Sequence, residues 1–204
     1  QRYYKLYTKC KTARVMIAEQ TEKAKAELHY IESVIDAISR AESDADIAEL
    51  RRELEAGGYI KSAQSTRDLK HKKANRESDA FARYETTNGY VVLCGKNNMQ
   101  NDLLTLKTAS RDDYWFHVKN AAGSHVILVR GGREEPPEVD FTDAAMIAAY
   151  NSSLSGGESV AVDYTLVKNI RKPPGSRPGF VTYKTNWTAY VTPDPEHVRA
   201  MRRR

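Results

Sequence analysis

The chain has 204 residues, 40% of them hydrophobic and 29% charged, with two cysteines and a formal net charge of +5. That balance excludes collagen-like, disulfide-scaffold and wholly disordered classes, and the length allows one sizeable core plus an appendage. Cys10 and Cys94 have no ligand spacing, so a reducing, cytoplasmic setting is expected. No apolar run approaches the ~20 residues that span a bilayer, so neither a membrane span nor a membrane partner is expected, and no export signal is visible. The chain opens on Gln1 already within a helical pattern, which reads as a piece of a longer protein.

Residues 4–41 contain no Gly or Pro, and Cys10, Ile17, Ala24, Ile31 and Ile38 recur every seven positions, with Thr21, Leu28 and Ile35 four places after three of them. This is a two-position heptad stripe. A helix of that length, roughly 55 Å at ~1.5 Å per residue, is longer than such a domain can bury and is expected to project. Ser43 and Asp44 are placed to cap a second helix carrying Ile47, Leu50 and Leu54, which Gly57-Gly58 ends. Residues 1–57 are therefore read as an antiparallel helical hairpin, with two helices of a compact bundle as the alternative. Residues 58–88 follow as a basic linker, with Lys61, Arg67, Lys70, His71, Lys72, Lys73 and Arg76 among small polar residues. That run suits either phosphate tracking or a solvated connector.

Charge is distributed unevenly. Residues 1–56 hold 10 Lys/Arg against 11 Asp/Glu, residues 57–88 hold 7 against 4, and residues 89–204 hold 15 against 12. The helical part is balanced and the rest is basic, which points to a polyanionic partner.

Beyond Gly89 the period becomes two. Residues 90–94, 114–119, 124–129, 160–163, 179–184 and 187–192 read as strands, interrupted by helical patches near 98–109, with Met99, Leu103 and Leu106 inward, and near 142–152, with Thr142 as cap. The fold class is α+β, a mixed or antiparallel sheet with a few helices over residues 89–204.

Three segments could carry chemistry. In Gly95-Lys96-Asn97-Asn98-Met99-Gln100-Asn101-Asp102, the spacing of Asn98, Asn101 and Thr105 aligns amides and a hydroxyl on one helix face, where they could donate to phosphate or sugar oxygens; Asn97 and Asn98 equally suit plain capping. In the strand at 114–119, Tyr114, Phe116 and Val118 share the core face, while Trp115, His117 and Lys119 share the other. That second set is expected to project to solvent, stacking a base while contacting a phosphate, against the alternative of a buried Trp with a hydrogen-bonded His. Ser124 and His125 follow a turn at residues 120–123, so His117 and His125 can meet across a hairpin. No HxH, HExxH, nucleophile-elbow, Walker or Rossmann pattern occurs, so no metal, cofactor or catalytic residue is assigned. Lastly, Lys168, Arg171, Lys172 and Arg177 sit in a Pro/Gly-rich loop, as phosphate contacts or as a solubilising surface.

Read together, residues 95–126, GKNNxQNDxLTxKxAxxxDxWxHxKxxxGSHV, closely resemble the signature of the NFACT-R domain found in bacterial RqcH, also called fibronectin-binding protein A, and in eukaryotic NEMF. Residues 162–165, 172–179 and 190–194 resemble the family too, as does the opening Gln1-Arg2-Tyr3-Tyr4 with its long helix; Ala122 departs from it, standing where proline is expected. The resemblance implies an RNA-binding component of ribosome-associated quality control. Such a component binds a large ribosomal subunit obstructed by peptidyl-tRNA, recruits tRNA (alanine-specific in bacteria) and supports template-free tailing of the stalled chain. The coiled coil would contact the subunit, peptide bond formation would be left to the ribosome, and the family's amino-terminal domain is expected to be missing. It places Lys96, Asn97, Asn98, Asn101, Asp102, Trp115, His117, Lys119, Ser124 and His125 in the motif. An extracellular fibronectin-binding adhesin and a hydrolase using His117 and His125 are the rival readings.

Overall fold

The computed structural model describes residues 1–61 and 81–203. Most of the basic linker, including Arg67, Lys70, His71, Lys72, Lys73 and Arg76, lies outside the described residues.

Helix α1 spans Arg2–Ser39 and α2 spans Asp44–Ala56. Ser43 caps α2 as expected, its hydroxyl accepting from the Asp46 N–H, and Gly58 at φ +77° carries the chain away in a conformation that suits glycine. The two helices form a hairpin: Tyr59, just beyond α2, stacks on Tyr30 at 5.4 Å and its hydroxyl donates to Glu27, 32 residues earlier. From Arg2 to Ala26, α1 is almost entirely exposed. Its buried face further on is Tyr30, Val34 and Ala37, at helical spacing, whereas Ile17, Leu28, Ile35 and Ile38 of the heptad stripe stay in solvent. The stripe therefore is not the surface that meets the body.

The body is a seven-stranded antiparallel sheet of order β6-β5-β3-β4-β2-β1-β7: β1 Ala82–Glu85, β2 Val91–Cys94, β3 Tyr114–Val118, β4 Val126–Val129, β5 Val160–Leu166, β6 Trp187–Val191 and β7 Arg202–Arg203. β1 lies within the stretch assigned above to the linker, so the sheet begins earlier than the hydrophobic alternation suggested. Residues 179–184 form no ladder; Thr182 makes only an isolated bridge with Arg171.

Helix α4, Glu138–Tyr150, covers one sheet face, packing Ala144, Ala145, Ile147, Ala148 and Ala149 onto Tyr114, Phe116, Val118, Val126 and Leu128, and α5, Pro195–Met201, adds Val198 and Met201. α4 starts one turn earlier than expected, and Thr142 returns its hydroxyl to the Glu138 carbonyl rather than capping. The other face is covered as well. Trp115 and Ile127, paired in register, bury themselves with Leu104 and Ile170, and Leu93, Val181 and Tyr183 close over them. Residues 170–183 thus act as a lid over the second apolar layer, so the β3 face carrying Trp115 is an interior one.

Candidate functional site

Helix α3, Asn98–Leu103, starts from Asn97, whose side chain accepts from the Gln100 N–H. A π-helical turn, Leu104–Thr108, follows directly. Its wider winding breaks the 3.6-residue stripe, and the expected facing is reversed: Leu104 and Thr105 are buried, while Met99 and Leu106 are exposed. The amide row faces the helical hairpin, not solvent. Asn98 Nδ2 donates to Ser33 Oγ at 2.8 Å and to Glu53 Oε1 at 3.0 Å. Asn97 Nδ2 and Gln100 Nε2 both reach Glu49 Oε2, at 3.2 and 2.5 Å. Glu53 is fully buried, and a buried carboxylate without donors is costly, so these amides are what the arm's acidic residues require. Asn101 turns inward, its Oδ1 taking the backbone N–H of His125. Lys96 completes the seam with Asp46 at 2.9 Å.

On β3 the period-two split holds, with Tyr114, Phe116 and Val118 in the main core. Trp115, expected in solvent, is buried, because Ile127 on the same face must be covered too. His117 stacks on it at 5.7 Å with the planes 12° apart and is half-buried. The two histidines do meet across the sheet, at 5.5 Å and edge-on. His125 is fully buried, its Nδ1 2.8 Å from Thr105 Oγ1. Burial pushes His117 down to about 4, and burial followed by the neighbouring His117 pushes His125 well below its ordinary value, so both rings are neutral at pH 7. Only Lys119 of the expected trio reaches solvent, 3.6 Å from Asp163. Ser124 Oγ accepts from Arg40 of the arm at 3.2 Å, and Asp113 takes the backbone N–H groups of Ser110 and Arg130. Among the described residues no group of three His, Cys, Asp or Glu side chains is placed to hold a metal.

The loop cations are mostly paired. Lys172 Nζ contacts both oxygens of Asp102, at 3.0 and 2.9 Å, and the Arg177 carbonyl. Arg177 bonds Glu27 at 2.7 Å with its guanidinium over the rings of Tyr30 and Tyr59. Lys168 stands 4.0 Å from Asp112. Arg171 caps the carbonyls of Lys168 and Ile170 and, among the described residues, has no carboxylate partner. The acidic partners on the arm, Glu27, Asp46, Glu49 and Glu53, were not picked out from the sequence; the only signal was the contrast between a balanced helical part and a basic remainder.

Residues 80–184 match the family model of the NFACT protein RNA binding domain, and residues 1–73 match that of the NFACT N-terminal and middle domains. The chain belongs to the NFACT family. It is 41% identical over 198 residues to the Rqc2 homolog RqcH of Bacillus subtilis (strain 168), covering 97% of this chain and 34% of that protein. It is 38% identical over 204 residues to the Rqc2 homolog RqcH of Streptococcus pneumoniae serotype 2 (strain D39), covering 100% and 35%. It thus spans about a third of the length of these curated relatives. Among solved structures, the C-terminal part of the fibronectin/fibrinogen-binding protein of Streptococcus suis superposes with a TM-score of 0.86 at 39% identity, over 99% of this chain and 78% of that one. The helical arm falls within the part of the chain that matches the model of the NFACT N-terminal and middle domains. Within this NFACT chain Lys96, Asn97, Asn98 and Ser124 of the motif fasten the arm, Trp115, His117 and His125 wall a cavity beneath it, which Asn98 and Asn101 also border, Asp102 holds Lys172, and Lys119 is exposed.

Proposed function

We propose that this chain is the RNA-holding portion of a cytoplasmic ribosome-associated quality-control factor. The sheet domain grips RNA and the projecting arm contacts a large ribosomal subunit obstructed by peptidyl-tRNA. Together they seat tRNA, alanine-specific in bacteria, for template-free tailing, with no bond chemistry of the chain's own. The observation that carries this reading is the match of residues 80–184 to an RNA-binding domain inside a chain similar along its whole length to RqcH proteins. Phosphate contacts on the rim would fall to Arg171, Lys168 and Lys119: all three are exposed cations, and Arg171 has no carboxylate partner among the described residues. The test is binding of the purified chain to tRNA and to large subunits over a salt series. Arg171→Ala is expected to lower the log–log salt slope by about one, as for one lost phosphate contact. Absence of RNA and subunit binding, alongside saturable fibronectin binding at physiological salt, would overturn the reading in favour of the adhesin that the name of the Streptococcus suis relative suggests.

A further inference from the structure

Strand β6 is the outer edge of the sheet, and it carries the two most exposed large hydrophobic side chains described in the sheet domain, Tyr190 at 70% and Trp187 at 50%. They lie three residues apart, about 10 Å along the strand, and so on opposite faces. Trp187 ends a row of rings. Phe116, Tyr164 and Trp187 stand in register across β3, β5 and β6, with 5.3 Å and 15° between the first two and 5.6 Å and 28° between the last two. Phe116 is fully buried, Tyr164 partly, and Trp187 is half in solvent. The row therefore runs from core to edge and stops at an indole with one side packed and no further ring beyond it among the described residues.

On the lid face Tyr190 is paired with Ala161, whose carbonyl takes the Lys119 N–H, so Tyr190 and Lys119 flank a single alanine. The lid stops short of this corner: its last tyrosine, Tyr183, reaches Asp163, and Tyr190 and Lys119 stay exposed. Asp163 already accepts the Tyr183 and Thr188 hydroxyls, and Lys119 stands 3.6 Å from it, beyond ordinary hydrogen-bond length, so the ammonium keeps its donors for another acceptor. Before the other end of β6, Lys184 is exposed and, unlike Lys168 and Lys172, has no carboxylate partner among the described residues.

Open rings on one strand, with exposed cations at both its ends, are the complement of an anionic chain that carries planar groups free to leave their own stack. A base laid on Trp187 adds one member to a row the fold already holds in place. From this we infer that the β6 edge is a track for an unpaired RNA strand, with bases on Trp187 and Tyr190 and phosphates at Lys184 and Lys119. This rests on the RNA-binding reading and adds to it the class of RNA, since the bases of a duplex are stacked on one another and cannot reach the rings. The cations favour this occupant over a peptide strand added to the same edge, which would be held by backbone pairing and needs no charge.

The test titrates the full chain with an end-labelled single-stranded RNA of mixed sequence and with the perfect duplex of the same sequence, reading anisotropy over a salt series. Trp187→Ala and Tyr190→Ala should each weaken the single strand by about 5-fold or more at an unchanged salt slope, and the duplex by less than about 2-fold. Trp187→Phe and Tyr190→Phe, which keep a ring, should stay within about 2-fold of wild type. Lys184→Ala should instead lower the single-strand slope by about one. Tyr190 is a surface residue, so its variants keep the test open even where Trp187→Ala fails to fold. Bound single strand with an affinity that neither alanine variant changes would overturn the inference, leave the RNA-binding reading standing and return the edge to a peptide strand. Equal losses on single strand and duplex would overturn it as well. Failure of the chain to bind any RNA would overturn both.

Discussion

Asn98 tests whether the amide row fastens the arm or grips RNA. In the structure its amide gives one hydrogen bond to the Ser33 hydroxyl and one to the Glu53 carboxylate, which is 2% exposed and has no cation within ion-pair distance among the described residues. Asn98→Ala removes both and leaves Glu53 with the neighbouring Tyr30 hydroxyl and the longer 3.4 Å bond from the Met99 N–H. A neutral bond at ~1 kcal/mol and a bond to a buried charge at ~1.5–3 kcal/mol predict a loss of about 2–4 kcal/mol, or about 4–16 °C in Tm for a chain of this size. Asn98→Asp keeps the shape but sets a second carboxylate 3.0 Å from the first, so at about pH 7.5 its cost should exceed that of the alanine variant by 1 kcal/mol or more. Two carboxyls sharing that site raise the folded-state pKa above the unfolded value, so the folded variant binds more protons. Its deficit is therefore largest at neutral pH and shrinks as the pH falls towards 5. Urea denaturation of wild type and both variants across this range measures it. A loss below about 0.5 kcal/mol for Asn98→Ala, or an Asn98→Asp deficit that does not change with pH, would refute the docking argument.

His117, held near 4 by burial against an ordinary 6.5, is protonated first in the unfolded chain, so stability is level above about pH 6.5 and falls as the pH drops towards 4. At about pH 4.5 His117→Gln should recover roughly 2 kcal/mol of that acid loss relative to its own value at pH 7, read from urea midpoints. Gly179 sits at φ +78°, and a Cβ there would lie 2.3 Å from Asn98 Oδ1. Gly179→Ala should therefore cost about 2–4 kcal/mol and loosen the same seam, visible as a lower Tm and faster amide exchange in α2. Lys172→Met leaves the half-buried Asp102 without its cation and should lower stability by about 1–2 kcal/mol, whereas Arg171→Ala should leave it within about 0.5 kcal/mol; equal effects on thermal melts would contradict the division between a structural and a free loop cation.

Local signals were read most reliably. Ser43 capping α2, the stop at Gly57-Gly58, the alternation that buries Tyr114, Phe116 and Val118, and the meeting of His117 with His125 all follow from patterns within a few residues. What was hidden depends on contacts across the chain. The Met99/Leu103/Leu106 stripe assumed continuous α winding, which the π turn at Leu104–Thr108 breaks. Trp115 looks amphipathic until Ile127 and the loop at 170–183 are known to close over it. A lysine reveals its sign in sequence but not its partner: Lys96, Lys172 and Arg177 looked available for phosphate, and each instead meets a carboxylate 50 or more residues away.

The hairpin seam has a mechanical consequence. Helix α1 touches the body only from about Glu27 onward, leaving some 25 residues, roughly 37 Å at ~1.5 Å per residue, as a free lever. Pivoting by about five degrees where Tyr30, Val34 and Ala37 rest would sweep Tyr3 through about 3 Å, the span of one hydrogen bond. The cavity beneath the arm lies at the fulcrum of that lever, with Arg177 bonded to the helix on one side and bordering the cavity on the other. A small displacement at the pivot is therefore magnified several-fold at the distant tip.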